Sequence, residues 1–149
     1  QRYSKLGFKG IGLGDTTGMA TPPIVQNVVK YLQDTLPELP IGLHFHNTRG
    51  LGLVNVMAGL DEGIDQFDAS FGGIGGCPFA PKATGNICTE DLVYMLHEMN
   101  IDTNIDLQAL MEIAIQVEAI VGHDLPGQVM KAGPRLDLHS MTSVATAQG

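Results

Sequence analysis

His44 and His46 stand one residue apart in HFHNTRG, at the close of an apolar run, IGL, and the opening of a turn. On a strand, residues i and i+2 share a face, so the two imidazoles project together while Phe45 turns the other way. One shared face is what a metal ion needs. A single core histidine is ordinarily satisfied by a hydrogen bond, but a same-face pair at the C-terminal end of a parallel strand points to a ligand site, because the sites of α/β folds gather there. Asp15 ends an earlier apolar stretch, GIGLGD, and runs directly into a polar turn as DTTG, which gives it a better chance of function than a helix-dipole or turn role alone. Asp68, near the end of a third stretch, reads as structural. Asn86 is either a turn residue with left-handed backbone or a hard oxygen ligand for a cation. Cys77 lies between Gly76 and Pro78 in a mobile glycine loop, a poor place to bury a small hydrophobe, so it is the candidate reactive thiol; Cys88, close to a helix start, is not.

The elements that must position these side chains repeat in order. GIGLGD reads as a strand, TTGM as a loop, and TPPIVQNVVKYLQDTL as an amphipathic helix with Thr21 as N-cap, Pro22 in its first turn and Val25, Val28, Val29 and Leu32 on one face. IGLHFHN repeats the strand, residues 51 to 62 the helix, and IDQFDAS begins a third unit. The spacings Ile11 to Ile41 and Ile41 to Ile64, 30 and 23 residues, are those of βα units with right-handed crossovers and parallel strands, which makes the fold class α/β. FGGIGGCPFAPKATGN then breaks the pattern: its glycines and prolines exclude a helix or a central strand, and long irregular loops in compact domains are usually functional. Thr89 is expected to cap the helix EDLVYMLHEM, with Glu90 and Asp91 favoured at its positive end. A further helix, LQALMEIAIQVEAIV, stops at Gly122, and the small polar tail is expected to be poorly ordered.

Composition bounds the partners. The 149 residues are 44% hydrophobic, enough for a core, and a net charge of -8 leaves no basic stripe for nucleic acid or an anionic membrane. No apolar run approaches the roughly 18 residues of a membrane span, and QRYSKLGFKG lacks a secretory h-region, so a soluble, cytoplasmic protein with two reduced thiols is expected.

DTTG at 15, HFHNTRG at 44, and above all GGIGGCPFAPKATGN followed by TEDLVYML resemble the C-terminal part of the 3-hydroxy-3-methylglutaryl-CoA lyase family, of the DRE-TIM metallolyases. The resemblance covers residues 7 to 135. It implies the last three βα units of a partial (β/α)8 TIM barrel over 1–75, the active-site glycine loop and a C-terminal helical region over 76–135, and a tail over 136–149. It further implies cleavage of an acyl-CoA substrate to acetyl-CoA and acetoacetate with a divalent cation, Mg2+ or Mn2+ with Zn2+ also compatible, and leaves room for a homodimer. By motif, His44, His46 and Asn86 resemble the metal ligands, Cys77 the catalytic cysteine and Asp15 an active-site acid, with His44 or Asp15 as the general base.

Two departures stand out. Asn47 follows the histidine pair where the family often has aspartate, resembling a bacterial subgroup. A full barrel needs about 250 residues and eight strands, so the chain reads as a fragment, without a counterpart to the family's first-strand Arg-Asp pair. The fragment alone is expected to be inactive. Alternatives are a sister synthase or aldolase, a lyase acting on another 3-hydroxyacyl-CoA, and a catalytically incomplete binding module. The structure should show three adjacent parallel strands with helices on one face, an unpaired edge on the first, and exposed apolar residues on the barrel-facing side.

Overall fold

The computed structural model describes residues 6–76 and 85–137; Cys77 and residues 138–149 of the expected tail lie outside them. Strands β1 (Ile11–Asp15), β2 (Ile41–Phe45) and β3 (Gln66–Asp68) form one parallel sheet in the order β1-β2-β3, as the spacing predicts. Helix α1 (Pro22–Thr35) joins β1 to β2 and α2 (Gly52–Asp61) joins β2 to β3. After a short 3-10 turn at Phe71–Gly73 come α3 (Thr89–Glu98), α4 (Leu107–Val121) and a single turn, α5 (Val129–Ala132). Among the described residues β1 has no neighbour on its outer side. No helix among them is long and apolar enough to cross a membrane.

Register follows from alternation. Ile41, Leu43 and Phe45 are buried while Gly42 and His44 are only partly so. Each fully buried side chain of this size contributes about 1.5–3 kcal/mol, and slipping β2 by one residue would trade Leu43 for His44 in the core. The core beneath the sheet joins these residues to Val25 and Val29 of α1, Val56 of α2, Ile87, and Leu92 and Leu96 of α3. The cross-strand pairs Gly14 with His44 and His44 with Asp68 lie on the other face.

That other face corrects one expectation. It is made of Gly12, Gly14, Gly42, His44, Gln66 and Asp68, so glycine and polar side chains, not apolar ones, face what would be the barrel interior. Exposed apolar residues instead collect on the free flank of β1 and α1, where Leu13, Met19, Ile24 and Val28 line a cleft of about 320 Å³. Val28, expected on the buried face of α1, is 41% exposed there.

The caps also differ in detail. Thr21 and Pro22 start α1 as predicted, but the Thr21 hydroxyl makes no capping bond. Thr89 is the first helical residue of α3, and Cys88 takes the N-cap position with extended backbone. The cause is a bridge to the preceding strand end: Ser70 N–H donates to Ile87 O (3.1 Å) and Thr89 N–H to Ser70 O (2.9 Å), which fixes the entry of α3 before any side chain can cap it. Asp106 caps α4 through Gln108 and Ala109 amides, and Gly122 (φ 74) ends it where the sequence places the stop.

Candidate metal and catalytic site

His46 is the hub. It follows the last residue of β2, is 8% exposed, and its Nδ1 lies 2.9 Å from the Asp15 carbonyl oxygen. A carbonyl only accepts, so Nδ1 carries the proton, and Nε2 is the ring atom left to ligate a metal. The His44 ring stands edge-on to it, centroids 5.1 Å apart and planes at 85°. His44 Nδ1 is 3.6 Å from Asp68 Oδ2, too long for a hydrogen bond. Asp68, expected to be structural, thus stands beside the candidate site on the exposed sheet face.

Asp15 divides its carboxylate. Oδ1 accepts the amides of Met19 (2.8 Å) and Ala20 (3.2 Å), turning the chain toward α1, while Oδ2 is buried without a hydrogen-bond partner among the described residues. The β1–α1 turn is further tied to the segment after β2 by Arg49, whose Nη1 donates to Thr17 O and Gly18 O, each at 3.0 Å. Arg49 was visible in HFHNTRG, but nothing in the sequence says that it reaches two carbonyls about 31 residues back.

Asn86 pairs with His46 in an isolated antiparallel bridge, so these two sequence-predicted ligands are adjacent. Its Nδ2 donates to Ile74 O (2.9 Å), which also accepts the Ser70 hydroxyl (2.7 Å). The carbonyl demands a donor and therefore fixes the amide orientation, leaving Oδ1 buried with no partner among the described residues. Asn86 is not among the residues with positive φ, so the left-handed turn reading does not describe it.

The two limbs of the glycine loop meet in a tight neck. Gly85 (φ 110) packs so that a methyl group would fall on the carbonyl oxygens of Gly73 and Gly75, and a methyl on Gly75 would stand 2.8 Å from Asn86 Nδ2. Asn47 N–H donates to Gly85 O (3.0 Å) and Ile87 N–H to Phe45 O (3.2 Å), stitching the neck to the end of β2. The described ends of the loop are held backbone against backbone. Cys77 lies outside the described residues.

Two further groups complete the electrostatics. Cys88 is free and 4% exposed; burial first, then the charges of Asp91 and Glu90, push its thiol far above the ordinary range. Such an environment disfavours the thiolate, the reactive form. Glu90, read from sequence as a helix-dipole residue, is fully buried, and desolvation raises its carboxyl pKa. Only its position in the first helical turn was legible.

Among the described residues no three His, Cys, Asp or Glu side chains gather to hold a metal ion. A cation here would draw on His44, His46 and the amide oxygen of Asn86. The buried, unpartnered Oδ1 and a His46 ring whose Nδ1 is already engaged, leaving Nε2 for a ligand, fit that role, and mixed imidazole and oxygen donors suit Mn2+, Zn2+ or Mg2+.

A family model described as HMGL-like matches residues 1–117. The chain is 46% identical over 129 residues to the (R)-citramalyl-CoA lyase of Chloroflexus aurantiacus, covering 87% of this chain and 41% of that protein. It is 45% identical over 124 residues to a hydroxymethylglutaryl-CoA lyase of Bacillus subtilis, covering 83% and 42%. It superposes with a TM-score of 0.87 and 54% identity on an HMG-CoA lyase from Acinetobacter baumannii, solved in complex with coenzyme A and 3-methylmalate, covering 93% of this chain and 46% of that one. The chain therefore spans less than half the length of these relatives.

Proposed function

The chain belongs to the HMGL-like family, and from that premise we propose that the whole protein is a divalent-metal-dependent lyase that splits 3-hydroxy-3-methylglutaryl-CoA into acetyl-CoA and acetoacetate. The observation that supports the metal-dependent reading best is the pair formed by His46, its Nδ1 committed to Asp15 O, and Asn86, its Oδ1 buried and unpartnered. In this reading residues 1–75 contribute the last three βα units of the barrel, and 76–135 the active-site loop and the helical region. His44, His46 and Asn86 hold the cation, with further oxygen ligands from barrel strands outside this chain. When bound, such a cation polarises the hydroxyl and carboxylate oxygens of the substrate and lowers the pKa of the hydroxyl.

The protein's own groups handle the protons. The free carboxylate oxygen of Asp15, or His44 in a state where its ring is not ligated to the cation, removes the proton of the tertiary hydroxyl. The C2–C3 bond then breaks: C3 becomes the ketone of acetoacetate and its electron pair passes to C2 as the enolate of acetyl-CoA. Cys77 returns a proton to C2, which balances the reaction. The fixed neck at Gly73, Gly75 and Gly85 anchors both ends of the segment that carries this thiol.

A shorter homologue of the substrate is favoured as a second reading by the citramalyl-CoA lyase relative. Both substrates present a thioester, a CH2 and a tertiary carbinol bearing a methyl group, and differ in the carboxylate arm. Steady-state turnover separates the cases: acetoacetate marks the first, pyruvate the second. Cys77→Ala should lower kcat about 100-fold or more with KM little changed, because the thiol acts mainly in the transition state, whereas Cys88→Ala should stay active. Near-wild-type turnover of Cys77→Ala would remove the thiol from the reaction.

A further inference from the structure

Behind the neck stands a carboxyl group that the proposed chemistry does not use. Glu90, the second residue of α3, has no exposed surface. Its Oε2 accepts the Gly72 amide at 3.1 Å, and its Oε1 is buried without a partner among the described residues. Gly127 lies so close that a methyl group on it would fall on Oε1, and the Gly127 amide donates to Gly72 O at 3.3 Å. Gly72, at φ 58, is therefore gripped from both sides, its N–H by Glu90 and its C=O by Gly127.

For stability alone this is a poor arrangement. A first-turn glutamate serves a helix equally well in water, and an apolar side chain of similar volume avoids the cost of desolvating a carboxyl. What the carboxyl does is set the turn. Gly72 is the middle residue of the turn between Ser70 and Ile74, closed by Gly73 N–H to Ser70 O (3.0 Å) and Ser70 Oγ to Ile74 O (2.7 Å). Ile74 O is the acceptor that aims the Asn86 amide. The path from Glu90 to the candidate metal ligand thus runs through Gly72, the turn, Ile74 O and Asn86 Nδ2.

We propose that Glu90 is a positioning residue: by accepting the Gly72 amide in a closed interior it fixes the neck of the glycine loop and, through Ile74 O, the direction of the Asn86 ligand oxygen. This rests on the reading of Asn86 as a metal ligand. What matters is an acceptor at the right reach. Glutamine supplies one and keeps the shape; leucine keeps the volume and removes it.

The test is Mn2+ binding by calorimetry to the complete enzyme carrying Glu90→Gln or Glu90→Leu, with thermal unfolding and trypsin cleavage at Lys82 recorded alongside. Glu90→Gln should bind Mn2+ within about twofold of wild type, while Glu90→Leu should bind about tenfold or more weakly, the scale of losing a group that orients a ligand. Cleavage at Lys82 should quicken in the leucine variant alone. Wild-type affinity in a folded Glu90→Leu, or an equal loss in Glu90→Gln, would overturn the proposal. Should the leucine variant fail to fold, Glu90→Asp decides in its place: it keeps the carboxyl group but withdraws the acceptor by one methylene, so wild-type affinity there is equally fatal. If unsubstituted enzyme binds no Mn2+, the metal reading falls, and faster cleavage in Glu90→Leu still tells that Glu90 holds the neck.

Discussion

Replacing Gly85 by alanine tests whether the glycine loop springs from a rigid neck. At φ 110 an L side chain is strained wherever it points, which costs about 1–2 kcal/mol. The new methyl group would also fall on the carbonyl oxygens of Gly73 and Gly75, backbone atoms that cannot rotate away, and overpacking of this kind costs about 1–3 kcal/mol. The sum, about 2–5 kcal/mol, is a large part of a typical stability of about 5–15 kcal/mol. Gly50 supplies the control, because its φ is 72 and nothing lies within 4 Å of the position a methyl would take. Gly50→Ala should therefore cost only the strain of a left-handed residue, and the excess cost of Gly85→Ala reads the neck contact together with the added strain of φ 110. Urea unfolding of the complete protein measures both, with Mn2+ affinity recorded at the same time, since Gly85 adjoins Asn86. Equal destabilisation of the two variants would refute the close-packed neck, whatever its absolute size.

His46→Asn should weaken Mn2+ binding by about 100-fold or more, at or beyond the upper end of what losing a supporting group costs, since a ring nitrogen itself is removed; calorimetry showing wild-type affinity would take His46 out of the site. Glu90 also predicts a pH dependence. Its folded pKa is raised above 4.5 by burial, so the folded state holds a proton that the unfolded state releases, and its stability contribution, complete below 4.5, is lost as pH climbs through the folded value. Glu90→Gln should therefore gain on wild type in urea midpoint as pH rises from 4.5, and parallel curves for the two proteins would count against a raised carboxyl.

The three βα units were legible because periodicity and spacing are local signals. Ile41, Leu43 and Phe45 alternate with Gly42 and His44, and that alternation survives intact in β2. The stop of α4 at Gly122 was legible for a similar reason: one glycine in the left-handed region ends a helix by itself. What stayed hidden depends on contacts between segments far apart in the chain. Nothing local says that the Thr89 cap yields to Cys88, because the cause is a bridge to Ser70. Glu90 looked like one more acidic residue at a helix start, and its burial arises only when Gly72 and Gly127 close over it. The loop glycines suggested freedom, yet at Gly85 the missing side chain is what lets two backbones touch.

Asn47 shows how such a contact changes the weight of a motif. The family often carries aspartate at this place after the histidine pair, and asparagine there raised the question of a different reaction. In the structure Asn47 Oδ1 accepts the Gly52 amide at 3.1 Å, capping α2 from outside its first turn. Aspartate would make the same bond, because both side chains offer an oxygen at that reach. Gly52 itself cannot be larger, since a methyl there would strike Ile87 in the core and approach Asn47 Oδ1 to 3.1 Å. The substitution therefore keeps the geometry that launches α2 and removes one negative charge near His46. Its Oδ1 is already committed to Gly52 and launches α2, so Asn47 adds nothing to the proposed donors His44, His46 and Asn86.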